Sequence, residues 1–165
     1  MKKKVWGPII WNFLHTLSFK IHDETFESQK NNLISIVRLT FSSLPCPYCS
    51  QHAMKLLKKT NIKYINSKDS FIDFIYIFHN EVNKNLKKKM FSKNLLEEKY
   101  KNKNFAIVLN EFIQVYNYKS SNIRFNLTIF NNKKICNKII SIIVNNKSHY
   151  NERNKTVTNF NPIYD

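Results

Sequence analysis

Leu44-Pro45-Cys46-Pro47-Tyr48-Cys49-Ser50-Gln51-His52 is the stretch on which the reading of the fold turns. Two cysteines separated by two residues form either a working thiol pair or half of a metal site, and their flanks decide what holds them. Upstream, Leu33, Ile36, Val37 and Phe41 recur at spacings of three and four, which predicts a helix from about Thr25 to Ser43 that Pro45 ends. Downstream, a further helix begins at the cysteines and continues through His52, Met54, Leu56 and Leu57 to Thr60, with Pro47 suited to its first turn. Cys46 then lies near a helix N-terminus, where unpaired backbone N–H groups and the helix dipole lower a thiol pKa from about 8.5 toward neutrality. One turn of helix brings the sulfurs of residues i and i+3 together, so the pair can close into a disulfide and reopen.

The rest of the chain extends this helical pattern. Ile10, Phe13, Leu14, Leu17 and Ile21 predict a first helix from Pro8 to about Ile21. Ser67 is placed to cap a helix through Phe71, Phe74, Ile75, Phe78, Val82 and Leu86. Ser92 is expected to cap a short piece, Asn94 to Tyr100, and Phe105, Val108, Leu109, Phe112 and Tyr116 mark one more amphipathic helix. Beyond a boundary placed near Lys119-Ser120-Ser121-Asn122, the chain is rich in Asn and Lys. There Ile123, Phe125, Leu127 and Ile129 alternate with polar residues in the manner of a strand, and Ile139 to Val144 forms a second apolar patch. The expected organisation is one all-α domain over residues 1–118, with a basic extension over 119–165.

Composition supports that class. A chain of 165 residues with 42% hydrophobic and 14% aromatic content suffices for one core. A single Gly and 4 Pro count against Gly-rich phosphate loops and against barrels of many hairpins. Three cysteines are too few for a disulfide-stapled scaffold. No apolar run approaches the roughly 20 residues of a membrane span. Met1-Lys2-Lys3-Lys4 followed by Val5 to Phe19 faintly imitates a secretory signal, but Pro8, Trp6, Trp11, Asn12 and His15 interrupt the apolar stretch. An intracellular protein is expected.

Other chemistries compete for the cysteines. Zinc could take Cys46, Cys49, His52 and the distant His79, although structural zinc sites usually pair two short-spaced ligand couples and no second couple exists here. Glutaredoxins often carry this same Cys-Pro-Tyr-Cys tetrapeptide. Their fold needs a strand before the cysteines, a later Pro-containing loop and a Gly-rich turn, yet no Pro occurs between Pro47 and Pro162 and no Gly after Gly7. Two buried structural thiols are a further reading that the flanking prolines disfavour. With 27 basic against 11 acidic residues, a net +16, nucleic acid is a rival partner from another class. Only Arg38, Arg124 and Arg153 could form bidentate forks, which argues against specific nucleic-acid recognition.

Three clusters bear on the choice together. Trp6-Gly7-Pro8-Ile9-Ile10-Trp11-Asn12-Phe13-Leu14-His15 puts Trp11 and His15 on one helical face. Leu-Pro-Cys-x-x-Cys-x-x-His follows, and then His79-Asn80-Glu81-Val82-Asn83-Lys84-Asn85-Leu86, continued from Lys88 to Phe91. In this order the pattern resembles the Erv/ALR family of FAD-linked sulfhydryl oxidases, especially the short forms encoded by large cytoplasmic DNA viruses. The resemblance spans about Val5 to Tyr100.

What the resemblance implies is a bundle of four helices plus a short fifth, holding FAD and forming a homodimer through the apolar faces of the first two helices, with Phe19, Phe26 or Leu39 exposed for that contact. It implies Cys46 and Cys49 as the catalytic pair, Cys46 meeting substrate thiols and Cys49 facing the flavin. Electrons would pass from a protein dithiol, or from a separate dithiol carrier protein, through the pair to FAD and then to O2, giving H2O2. Trp6, Gly7, Trp11, His15, His79, Asn80, Asn83, Lys88 and Tyr100 would form the cofactor set, with Trp11 and His15 against the adenine and Lys88 near the phosphates. No resident metal is implied, and a viral member would work in the host cytoplasm or the virion. Many relatives carry a second, shuttle cysteine pair. Here only Cys136 remains, as a bystander, a subunit cross-link or a partner contact.

Overall fold

The computed structural model describes residues 1–117 and 126–150, with side chains from residue 131 in the second stretch. Its helices are α1 (Lys3–Lys20), α2 (Phe26–Ser42), α3 (Pro47–Lys59), α4 (Lys68–Asn85), α5 (Phe105–Asn117) and α6 (Asn126–Asn145). A π-helical turn at Glu97–Lys101 follows α4, and no strand occurs among the described residues beyond one isolated bridge from Ile21 to Tyr150. The all-α class expected from the spacing is the observed one. No described helix is long and apolar enough to cross a membrane.

The core is organised around α1, which packs against α4 and α5, while α2 packs against α3 and α6. Phe13, Leu14, Leu17 and Ile21 on its apolar face are fully buried, and Phe13 stacks on Phe112 of α5 at 4.0 Å between ring centres. Truncating such a ring to Ala typically costs about 3–5 kcal/mol. α4 opens with a reciprocal cap: the Ser67 hydroxyl accepts the Ser70 N–H at 3.2 Å, and the Ser70 hydroxyl accepts the Ser67 N–H at 2.9 Å.

Several expectations need correction. α1 begins at Lys3 rather than Pro8, because Val5 and Trp6 already donate to the Lys2 carbonyl and buried Trp6 anchors the first turn. Ser92 makes no side-chain cap. Leu127 and Ile129 lie in α6, not in a strand, while Ile123, Phe125 and the boundary at 119–122 lie outside the described residues. Cys136, Ile139 and Ile143 recur at helical spacing and dock into the main core, so tertiary packing overrides the local β-propensity. Phe19 and Phe26 are not on the surface: Phe19 packs with Leu96 and Tyr100, and Phe26 lies against Phe71. Leu39 is half-buried against the same core, so of the three residues expected on the dimer face only Leu39 keeps part of its surface exposed.

Candidate functional site: a dithiol beside an aromatic and cationic cavity

Cys46 is the N-cap of α3 and is joined to Cys49 as a disulfide, with Cα atoms 5.1 Å apart. The Cys49 backbone N–H points at the Cys46 sulfur at 3.2 Å. This is the geometry that stabilises a thiolate once the bond opens, because the sulfur then faces an orphan donor at the positive end of a helix. Both cysteines are half-buried, so exposure does not separate them. The cavity does, since Cys49 borders it and Cys46 does not. Between them Tyr48 is 69% exposed and lies 4.6 Å from the His52 ring.

That cavity has a volume of about 880 Å3, within the range of about 300–1,000 Å3 usual for small-molecule and cofactor sites. It is lined by Trp6, Gly7, Ile10 and Trp11 of α1, by Tyr48, Cys49 and His52 of α3, and by His79, Val82 and Asn83 of α4. Lys88, Phe91, Lys99, Tyr100 and Lys103 also line it. A Cβ added at Gly7 meets nothing within 4 Å, so it would project into open space. Asn12 also borders the cavity, and its Oδ1 is buried with no hydrogen-bond partner among the described residues.

A column of rings runs through this lining, with only His15 set behind it. Trp11 stacks on His79 at 4.0 Å, His79 Nδ1 and His15 Nε2 share a hydrogen bond at 3.0 Å, and His15 stacks on Tyr100 at 4.4 Å. Burial, reinforced by His79 and by the Lys99 charge, lowers the His15 pKa to about 3. Burial, with Lys99 and Lys88, lowers His79 to about 4. Both imidazoles are therefore neutral at pH 7, each offering one donor and one acceptor. Burial pushes the Tyr100 phenol up to about 12 and keeps it protonated.

Of the residues singled out in the sequence, Trp6, Gly7, Trp11, Cys49, His79, Asn83, Lys88 and Tyr100 converge on this one cavity. His15 and Asn80 do not border it. His15 is fully buried behind His79, and the Asn80 amide is spent on the backbone of Phe91, donating to its carbonyl at 3.0 Å and accepting its N–H at 2.8 Å. Asn80 thus clamps the loop after α4, in which Lys87 takes a left-handed φ of 53°. Sequence reasoning missed Asn12, Phe91, Lys99 and Lys103. Lys99 and Lys103, four apart around Tyr100, hold their ammonium groups 5.5 and 5.9 Å from its ring centre, a spacing visible in the sequence but silent without the turn that folds it back. Among the described residues no group of three or more metal-ligating side chains converges, and Cys46 and Cys49 are bonded to each other rather than poised with His52 and His79.

Residues 8–101 match the family model of the Erv1 / Alr family. A protein of African swine fever virus described as "FAD-linked sulfhydryl oxidase" is 36% identical over 97 residues, covering 56% of this chain and 81% of the relative. "FAD-linked sulfhydryl oxidase ERV2" of Saccharomyces cerevisiae is 30% identical over 100 residues, 61% of this chain and 50% of the relative. "FAD-linked sulfhydryl oxidase ERV1" of Arabidopsis thaliana is 27% identical over 99 residues, 55% of this chain and 51% of the relative. No solved structure matches.

Proposed function

Because the chain belongs to the Erv1/Alr family, we propose that it is an FAD-dependent sulfhydryl oxidase that introduces disulfides into protein dithiols and discharges the electrons to dioxygen. The observation that carries this reading is the meeting of Cys49 with the aromatic and cationic cavity at one end of α3. FAD asks for ring surfaces, amide or imidazole partners and cations, and the cavity offers them in Trp11 and His79, in Asn12 and Asn83, and in Lys88 and Lys99. The unpartnered Asn12 Oδ1 and the open space over Gly7 fit a bound group that this wall is shaped to receive. When bound, FAD supplies a two-electron acceptor beside the dithiol that dioxygen can regenerate with hydrogen peroxide as product.

The chain's own residues perform the thiol chemistry. A substrate thiolate attacks Cys46 Sγ, forming a mixed disulfide and releasing Cys49 as the thiolate on the cavity side. The second substrate thiol, as its thiolate, attacks the substrate sulfur of that mixed disulfide and frees Cys46. The substrate is then oxidised by two electrons, its disulfide is closed, and Cys46 and Cys49 are reduced. The Cys49 N–H and the α3 dipole hold the freed Cys46 sulfur as a thiolate. Neutral His15 and His79 keep a second positive charge out of the ring column. We assign this chemistry to residues 1–118, and the viral relative covered over most of its length supports a place in a virus-encoded disulfide pathway, in the host cytoplasm or the virion.

The test is a visible spectrum of the purified protein. A yellow protein that releases FAD on denaturation, and consumes oxygen with dithiothreitol, is the expected result. A folded, colourless protein that does not take up added FAD would sink the reading.

A further inference from the structure

Carboxylates are missing from a long part of this chain. Between Ser28 and Lys68, which includes most of α2, the disulfide and all of α3, seven basic residues occur and no Asp or Glu. α3 buries Ala53 and Leu57 and turns Tyr48, Gln51, His52, Lys55, Lys58 and Lys59 outward. Lys58 and Lys59 have a local reason to be there, since cations in a last turn oppose the helix dipole. Lys55 has none, and it lies two helical turns past Tyr48 on the same side of α3, about 10 Å along the axis at the usual rise per residue.

A second set of cations approaches the disulfide from α1. Lys3 and Lys4 sit in its first turn, where the positive pole of the helix disfavours them, and no acidic residue in that turn offsets the cost. Both line the cavity that Tyr48, Cys49 and His52 also line. Neither is among the ion pairs of the described residues, which join Lys68, Lys93 and Lys101 to carboxylates elsewhere. Lys3, Lys4 and Lys55 thus have neither an ion-pair partner among the described residues nor a favourable place on their helix dipoles; Lys3 and Lys4 line the cavity that Cys49 lines, and Lys55 shares the exposed side of α3 with Tyr48.

We propose that this rim is a docking surface for an acidic, dithiol-bearing protein segment, with Tyr48 against its apolar centre and its carboxylates on Lys3, Lys4 and Lys55. The proposal rests on the oxidase reading and adds to it the chemical class of the substrate. Complementary charge raises the encounter rate and is screened by salt, so the preference belongs to KM and fades as ionic strength rises. A protein partner suits the surface better than nucleic acid, because Lys3 and Lys4 share the cavity lining with Cys49 of a disulfide whose physiological reductant is a thiol, and the segment's single guanidinium is Arg38.

The full chain loaded with FAD is offered peptides with one common Cys-x-x-Cys centre, flanked by Glu or by Lys, with dithiothreitol as the uncharged control. The acidic peptide is expected to show a KM lower by on the order of ten-fold at low salt, with the ratio approaching one near ~0.5 M salt. Lys55→Glu should shrink that ratio while leaving dithiothreitol oxidation within about two-fold. Binding of Ser-x-x-Ser versions, followed by fluorescence anisotropy, reads docking without turnover, and Lys3→Glu combined with Lys4→Glu should weaken the acidic one. Equal, salt-insensitive KM values for the two peptides would overturn the proposal, as would duplex DNA displacing the acidic peptide while the peptides themselves bind alike. Failure to oxidise dithiothreitol would instead remove the oxidase reading, and the anisotropy arm would still decide the docking surface.

Discussion

Trp11 of α1 and His79 of α4 lie face to face, 4.0 Å between ring centres and 10° from parallel. The contact joins the first and fourth helices at the cavity wall, and Phe41 of α2 meets the Trp11 ring edge-on at 5.9 Å. An indole held on several sides presents a fixed flat surface, which is what a planar ligand needs in order to bind without ordering its site first. Trp11→Ala should therefore weaken FAD binding by roughly ten-fold or more, corresponding to about 1–2 kcal/mol. Flavin fluorescence titration of the apoprotein measures this, and an unchanged affinity would remove Trp11 from the site.

Cys46→Ser and Cys49→Ser should each abolish dithiothreitol-dependent oxygen uptake, because no other disulfide exists among the described residues. Cys49→Ser leaves Cys46 as a nucleophile that attacks the disulfide of an oxidised partner protein, forming a mixed disulfide and releasing one partner thiolate. Cys136→Ala should keep most of the turnover: its thiol is 2% exposed in α6 and burial pushes its pKa up to about 12. The same burial argues against a subunit cross-link through Cys136, and the native protein should resist alkylation there. Rapid labelling of Cys136 without denaturant would contradict the packing.

The two buried imidazoles make stability depend on acid. Each has an unfolded pKa near 6.5 and a lower folded value, about 3 for His15 and about 4 for His79, so the unfolded chain binds more protons between those limits. Stability is thus intact above about pH 6.5 and falls as pH drops toward 3–4, by at most about 1.4 kcal/mol per pH unit for each histidine. Urea midpoints across this window check the slope, and His79→Gln should flatten it. A midpoint independent of pH from 6.5 to 4 would contradict the buried, neutral pair.

Asn80→Ala should release the loop that carries Lys88 and Phe91. Two hydrogen bonds to the Phe91 backbone are lost, which costs about 1–3 kcal/mol. Hydrogen exchange at the Phe91 amide should accelerate by at least an order of magnitude, together with weaker FAD retention. Unchanged protection at Phe91 would mean that the loop is held by other contacts.

Much of this architecture was legible because α1, α2, α4 and α5 are amphipathic over three or more turns, and Phe13, Leu17, Ile36 and Phe112 fall where periodicity puts the core. The start of α1 was not, since Pro8 reads locally as a first-turn residue while the anchor that extends the helix upstream, Trp6, acts through tertiary burial. α6 misled for a similar reason: the alternation of Ile123, Phe125, Leu127 and Ile129 reads locally as a strand, whereas Cys136, Ile139 and Ile143 pack the helix into the core beside α2 and α5. At the site, the clusters around Trp11, Cys49 and His79 announced themselves by residue type. The separation of His15 and Asn80 from the cavity did not, because an i, i+4 spacing names a helix face without saying which neighbour will stand in front of it.

Phe13 is translated first and Phe112, the ring it stacks on, about a hundred residues later. At roughly 5–20 residues per second, on the order of 5–20 s separate the two on the ribosome. Throughout that interval α1 can gain α4 as a neighbour, but the Phe13 side that α5 covers stays bare, open to chaperones or to another nascent chain. A message cut short before Phe112 therefore yields a chain in which α1 can still meet α4, but the side of α1 that carries Phe13 has no α5 to close against.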